Sequence, residues 1–285
     1  MEKELKIIEC PRDAMQGMIE FIPTEKKALY INQLLQCGFD TIDFGSFVSP
    51  KAIPQMRDTA DVLSKLDLSN TKSKLLAIIA NERGAEEACS FDEINYLGYP
   101  FSVSDEFQRR NTNSTIEETL KRVEFIQNKT VLSGKKLVIY LSMGFGNPYG
   151  EHWSPDLVLK WTERLVDLFG IEIIAISDTI GSAKKEDITF LFNTLIPELP
   201  KIEFGAHMHV RPDNAREIID IAYTAGCRRF DSVIRGFGGC PMAKDDLTGN
   251  MPTEIMLDYF SINNINTYID FSAFERALQV STTIF

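Results

Sequence analysis

The chain has only three histidines and five cysteines, no apolar run approaching the ~18 residues of a membrane span, and no surplus of basic charge. Each shortage closes off a class of function. Thirty Lys and Arg stand against 41 Asp and Glu, a formal net charge of −11. An acidic surface repels nucleic acid and anionic membranes, so neither is an expected partner, although a local basic pocket for a small anion stays open. The cysteines, Cys10, Cys37, Cys89, Cys227 and Cys240, are odd in number and form no CxxC pair. That pattern points to reduced thiols in a cytoplasmic protein rather than a disulfide framework. The start, MEKELKIIECPRD, enters a strand-like run without a signal-peptide core or transit peptide, and TTIF carries no lipidation or peroxisomal signal. No GxGxxG follows that first run, which removes support for a dinucleotide-binding sheet.

What is present is an alternation. Strand-like runs occupy 5–10, 41–47, 74–80, 93–101, 136–145, 171–179, 202–210 and 228–237. Helical patterns lie between them. The segment 24–38 opens on Thr24 as an expected cap and stops at Gly38. The segment 154–170 has Ser154 as cap, Pro155 at the first helical position and Gly170 as its end. Two more helices are expected over 113–128 and 213–227. Strands separated by helices must pair in parallel, and eight such units suggest a (β/α)8 TIM barrel. We expect one barrel domain over 1–285, with 248–285 as a C-terminal helical extension.

Barrel chemistry lies at the C-terminal ends of the strands, and the unusual residues fall there. Arg12 and Asp13 follow strand 1, Asp43 and Ser46 end strand 2, Asp178 and Thr179 end strand 6, and Arg235 and a GFGGCP loop end strand 8. His207 and His209, one residue apart in strand 7, share one face because strand side chains alternate. With Asp13 they make a mixed oxygen and nitrogen donor set, and Asn250 offers an amide oxygen. Such a set suits a divalent cation, Mg²⁺ or Mn²⁺ above others, whereas structural zinc uses more thiolate. Taken alone, Asp13 would serve as a turn cap and Asn250 as a helix cap. Cys240, between two glycines and a proline, sits on a loop able to carry a proton-exchanging thiol into a site. The other four cysteines read as packing residues, and His152 as solvent-facing.

Together the motifs PRDAMQ (11–16), FGSFVSPKAIPQM (44–56), SDTIG (177–181), HMH (207–209), GFGGCP (236–241) and TGN (248–250) resemble the 3-hydroxy-3-methylglutaryl-CoA (HMG-CoA) lyase family, in order and spacing, over about residues 5 to 260. The resemblance implies a metal-dependent retro-Claisen lyase acting on an acyl-CoA or hydroxy-acid substrate, and a homodimer. It implies Asp13, His207, His209 and Asn250 as metal ligands, and Arg12 as the cation beside the enolate oxygen. It implies Cys240 as the acid, Asp43 and Asp178 as further catalytic-site residues, and Gln16 and Ser46 as supporting binding residues. The residue types fit that chemistry: a fixed positive group where an enolate develops and a thiol to protonate carbon. The base is left open between His207 and Asp13.

The chain departs from the family pattern at several places. Asp43 replaces the usual Glu, Ala14 a Gly, Val138 a strand-5 Arg, and Arg211 and Arg235 are added. If the two arginines face the site they imply a more anionic acyl group; if they face outward they are salt-bridge partners.

Overall fold

The computed structural model describes residues 4–239 and 248–285. Among them eight parallel strands close a barrel: β1 (Lys6–Glu9), β2 (Thr41–Ser46), β3 (Lys74–Ile78), β4 (Ile94–Ser102), β5 (Lys136–Ser142), β6 (Ile173–Asp178), β7 (Glu203–Val210) and β8 (Arg229–Ser232). Each strand pairs with the next, and β1 pairs with β8 to complete the ring, Lys6 opposite Arg229 and Ile8 opposite Asp231. The helices are α1 (Pro11–Gln16), α2 (Thr24–Leu34), α3 (Thr59–Leu63), α4 (Glu82–Cys89), α5 (Asp105–Thr112), α6 (Ile116–Leu132), α7 (Pro155–Phe169), α8 (Lys185–Glu198), α9 (Ala215–Thr224), α10 (Thr253–Ile262) and α11 (Phe271–Ser281). A short strand, β9 (Gly249–Asn250), runs antiparallel to β7. The fold is the expected (β/α)8 barrel.

Local chemistry explains the boundaries. The Ser154 hydroxyl accepts from the Leu157 N–H, Pro155 opens α7, and Gly170 closes it at φ 64°. Thr115 and Glu118 form a capping box on α6. Thr24 is not a cap: Pro23 holds that position, and the Thr24 hydroxyl donates to Asp58 at 2.8 Å. β5 stops three residues before the expected end because Met143 turns to φ 57°. β8 stops at Ser232, and Arg235 enters a 3₁₀ turn at φ 64°, so that residue lies beyond the strand.

The main core fills the space between strands and helices, while a smaller inner layer of Leu76, Tyr96, Val138, Tyr140, Ile173 and Ala175 plugs the barrel. Helices α10 and α11 pack outside it. Tyr259 donates to Asp220 of α9 at 2.7 Å, and the Phe274 ring meets Phe39 edge-on at 6.3 Å. The Glu9 carboxyl group, wholly buried in β1, accepts from the Ile234 N–H at 2.8 Å and lies 2.6 Å from the Thr253 hydroxyl. Burial, with Glu254 nearby, pushes its carboxyl up to about 8.

Candidate active site

Helix α1 follows β1 after one residue, with Pro11 at its first turn, so Arg12 and Asp13 are set at the barrel's C-terminal rim. Both are nearly buried. Arg12 clamps the Asp43 carboxylate from β2, Nε at 3.1 Å and Nη2 at 2.5 Å from Oδ2. Its Nη1 reaches Asp13 Oδ1 at 3.1 Å and Gln16 Oε1 at 3.0 Å, and Gln16 Nε2 donates back to Asp13 Oδ1 at 2.5 Å. Positions 12, 13 and 16 meet because residues three and four apart share a helix face. Burial alone would raise the Asp13 carboxyl; Arg12 and the two imidazoles overturn that and hold it below its ordinary value. Burial does prevail at Asp43, pushed up to about 6 against the pull of Arg12.

Strand alternation puts His207 and His209 on the inner face of β7, as their spacing implies. Each Nδ1 is engaged. His209 Nδ1 lies 2.9 Å from the Thr179 carbonyl, which can only accept, so this nitrogen carries the proton and Nε2 keeps its lone pair. His207 Nδ1 lies 3.1 Å from Asp231 Oδ2, and its Nε2 is 3.7 Å from Asp13 Oδ2. Burial, reinforced by His207, pushes His209 down to about 4, so it is neutral at ordinary pH. Burial would lower His207 too, but the hydrogen bond and charge of Asp231 raise it above its ordinary value. His209 Nε2 is buried without a protein partner. One donor atom each from Asp13, His207 and His209 lies within 4.8 Å of the others. A buried lone pair facing a carboxylate and a second imidazole suits a divalent cation.

Asn250 arrives on β9, directly opposite His209, and donates to the Phe237 carbonyl at 2.8 Å. It does not cap α10, whose N-cap is Pro252. The stem of the glycine-rich loop lies tight against this ring: a Cβ at Gly238, at φ 83°, would stand 2.7 Å from the Asp13 carbonyl. Cys240 lies outside the described residues. Phe237 stacks on Phe285 with centroids 4.7 Å apart.

A cavity of about 690 Å³ opens over the ring. Arg12, Asp13, Gln16, His207 and His209 are at one end, and Tyr140, Ser142, Ser177 and Thr179 line the adjoining wall. Val48, Ile53, Ile78, Pro100 and Phe107 add apolar lining, and Arg110 and Arg122 also line it, paired with Glu106 and Glu82 respectively. Ser46 and Asp178 do not line it. The Ser46 hydroxyl accepts from the Val48 N–H, while Asp178 accepts from the Ser182 and Ala183 N–H groups and so shapes the turn that carries Thr179. Asp43 stands behind Arg12.

The altered residues also lie off the cavity. Arg211 pairs with Asp213, and the Arg235 backbone N–H and side chain bind Glu254 and Ser281 respectively. Val138 belongs to the inner plug. Both arginines therefore lie off the cavity, Arg211 as the expected salt-bridge partner and Arg235 with its side chain on a serine hydroxyl instead. Cys10, Cys37 and Cys227 are buried and His152 is exposed, as expected. The sequence reading missed Asp231, the Thr179 carbonyl and Tyr140. For Asp231 a signal existed: an inward strand position level with the histidines.

Residues 5–280 match the HMGL-like family model. The hydroxymethylglutaryl-CoA lyase YngG of Bacillus subtilis is 31% identical over 91% of the chain and 85% of its own length. An (R)-citramalyl-CoA lyase of Chloroflexus aurantiacus is 28% identical over 96% of the chain and 88% of its own. The structure of an HMG-CoA lyase from Acinetobacter baumannii, in complex with coenzyme A and 3-methylmalate, superposes with a TM-score of 0.89. It is 28% identical and covers 99% of this chain and 91% of that one.

Proposed function

The chain belongs to the HMGL-like family and is a carbon–carbon lyase, and from that premise we propose that it cleaves HMG-CoA to acetyl-CoA and acetoacetate with the help of a divalent cation. The observation that carries the metal is His209: its proton is committed to Thr179, and its buried Nε2 faces Asp13 and His207. These three would hold the ion, with Asn250 alongside. When bound, the ion lowers the pKa of the substrate's tertiary hydroxyl and fixes the neighbouring oxygen.

The chain's own residues supply the rest. The Asp13 carboxylate is the proton acceptor for the C3 hydroxyl, since His207 has no lone pair left once Nδ1 carries a proton toward Asp231 and Nε2 faces the cation. As that proton leaves, the C2–C3 bond breaks. C3 becomes the ketone of acetoacetate, and the electron pair passes to C2 and the thioester oxygen. Arg12, locked by Asp43 and Gln16, keeps a fixed positive charge where that oxygen gains its own. The Cys240 thiol then gives C2 its proton. The apolar wall excludes water from the enolate, and Arg110 and Arg122 suit the anionic groups of the CoA portion.

A second reading is a related lyase for a citramalyl-type thioester, favoured by the Chloroflexus relative and by the hydroxyl-rich wall. The off-cavity positions of Val138, Arg211 and Arg235 weigh toward HMG-CoA. The proposal extends to a homodimer in the cytoplasm, on the family resemblance and the free cysteines.

The test is product formation from HMG-CoA and citramalyl-CoA by purified protein with Mg²⁺ or Mn²⁺, beside Cys240→Ala and His207→Ala. Metal-dependent acetoacetate from HMG-CoA, lost in both variants, supports the first reading. Turnover of citramalyl-CoA alone supports the second. No turnover of either thioester overturns both.

A further inference from the structure

Below the ring the barrel interior carries charges that the reaction does not use. Alternation turns Glu203, Gly205, His207 and His209 of β7 inward, and Arg229 and Asp231 of β8 with them. From the floor upward they form a column. The Lys6 ammonium pairs with Glu203, Glu203 Oε1 accepts from Arg229 Nη1 at 3.0 Å, and Asp231 Oδ2 meets His207 Nδ1 at 3.1 Å.

Arg229 is the unexpected member. It is 1% exposed, and a guanidinium is charged at every relevant pH, so its burial demands compensation. Glu203 engages only Nη1; Nε and Nη2 are buried without a protein partner. So are Asp231 Oδ1, two residues along the same strand face, and the Tyr140 hydroxyl, whose ring stands edge-on to His207 at 5.3 Å. The backbone makes room for the arginine: a Cβ at Gly205 would stand 3.0 Å from Arg229 Cδ.

We propose that Arg229 is a positioning residue for the metal centre, its buried charge fixing the Asp231 carboxylate, which in turn holds the His207 Nδ1–H and presents Nε2 to the cation. The inference rests on the metal reading above. Outer-sphere partners of a ligating histidine commonly govern metal affinity by about 10–100-fold.

The experiment titrates the full chain with Mn²⁺ alone, following the free-ion EPR signal, beside Arg229→Met, Arg229→Lys, Asp231→Asn and the double variant Arg229→Met/Asp231→Asn. Thermal unfolding of each apo-protein checks the fold. Expected are weakening by about 10–100-fold in Arg229→Met and Asp231→Asn, recovery in Arg229→Lys, and no further loss in the double variant, since both act through one carboxylate. Wild-type affinity in folded Arg229→Met overturns the inference, as do losses that multiply in the double variant. Should Arg229→Met fail to fold, Arg229→Gln replaces it. Wild-type protein that binds no Mn²⁺ overturns the metal reading itself, and this shows before any variant is made.

Discussion

His209 and Asn250 face each other as an antiparallel pair between β7 and β9, so the strand returning from the glycine-rich loop is bonded to the strand that carries the imidazoles. The chain that re-enters at Gly249 is thereby registered on the ring itself. Gly249 is the point of closest approach, where a Cβ would stand 2.4 Å from the Gly236 carbonyl. Gly249→Ala must therefore part β9 from the turn at Ile234–Gly236 and so disturb its pairing with β7. Expected is a loss of about 1–3 kcal/mol of stability, with weaker Mn²⁺ binding, checked by thermal unfolding and metal titration.

Arg12 should not tolerate lysine. Its fork holds Asp43, Asp13 and Gln16 at once, which a single ammonium cannot reproduce. Arg12→Lys and Arg12→Met are each expected to lower kcat by about 10²–10³, as for a lost oxyanion donor, with a smaller change in KM. Steady-state kinetics on the thioester that proves to be the substrate decide it. Unchanged kcat in Arg12→Met would remove Arg12 from the reaction.

Glu9 gives the fold a pH dependence that can be isolated. Its folded carboxyl stands at about 8 against an ordinary 4.5, so the folded chain holds a proton that the unfolded chain releases. That stabilisation is complete below about 4.5 and is lost as pH rises through about 8. Between those values stability should fall by up to about 1.4 kcal/mol per pH unit from this group. Glu9→Gln keeps the shape and removes the titration. Urea melts of both proteins from pH 5 to 8 should show a flatter profile in the variant.

The buried pair of Lys27 and Asp58, 2.6 Å apart, ties α2 to the residue that precedes α3, with the Lys27 ammonium also 4.2 Å from the Phe21 ring centroid. Asp58→Ala strands a buried ammonium and should cost about 3–5 kcal/mol. Adding Lys27→Met to it should restore most of that. Chemical denaturation of the single and double variants measures the difference, and equal stability of the two would refute the account.

The barrel was legible because each strand carries its own apolar run and each long helix its own stop, both local properties. Where the reading slipped, a neighbour had intervened. Thr24 turned from capping α2 to Asp58, β5 ended early at Met143, which is forced to positive φ, and β8 gave way to the bridge of Val233 with Pro252 and a 3₁₀ turn. In the site, the HxH spacing and the placement of Asp13 were readable because alternation and the barrel rule act along the chain. Asp231 under His207, and the Thr179 carbonyl under His209, depend on register between strands, which no single run encodes. Arg211 and Arg235 misled in another way: sequence places a residue at a rim without saying toward which side its chain leans.

The hydrogen bonds to Glu9 have a consequence for how the chain is made. Synthesis releases β1 first, yet the groups that satisfy its carboxylate are the amide of Ile234 and the hydroxyl of Thr253. A nascent chain halted anywhere before Thr253 therefore has an acid that its own inner strand cannot bury fully satisfied. Until that residue emerges, closing β1 on β8 buries the acid with one of its two partners missing.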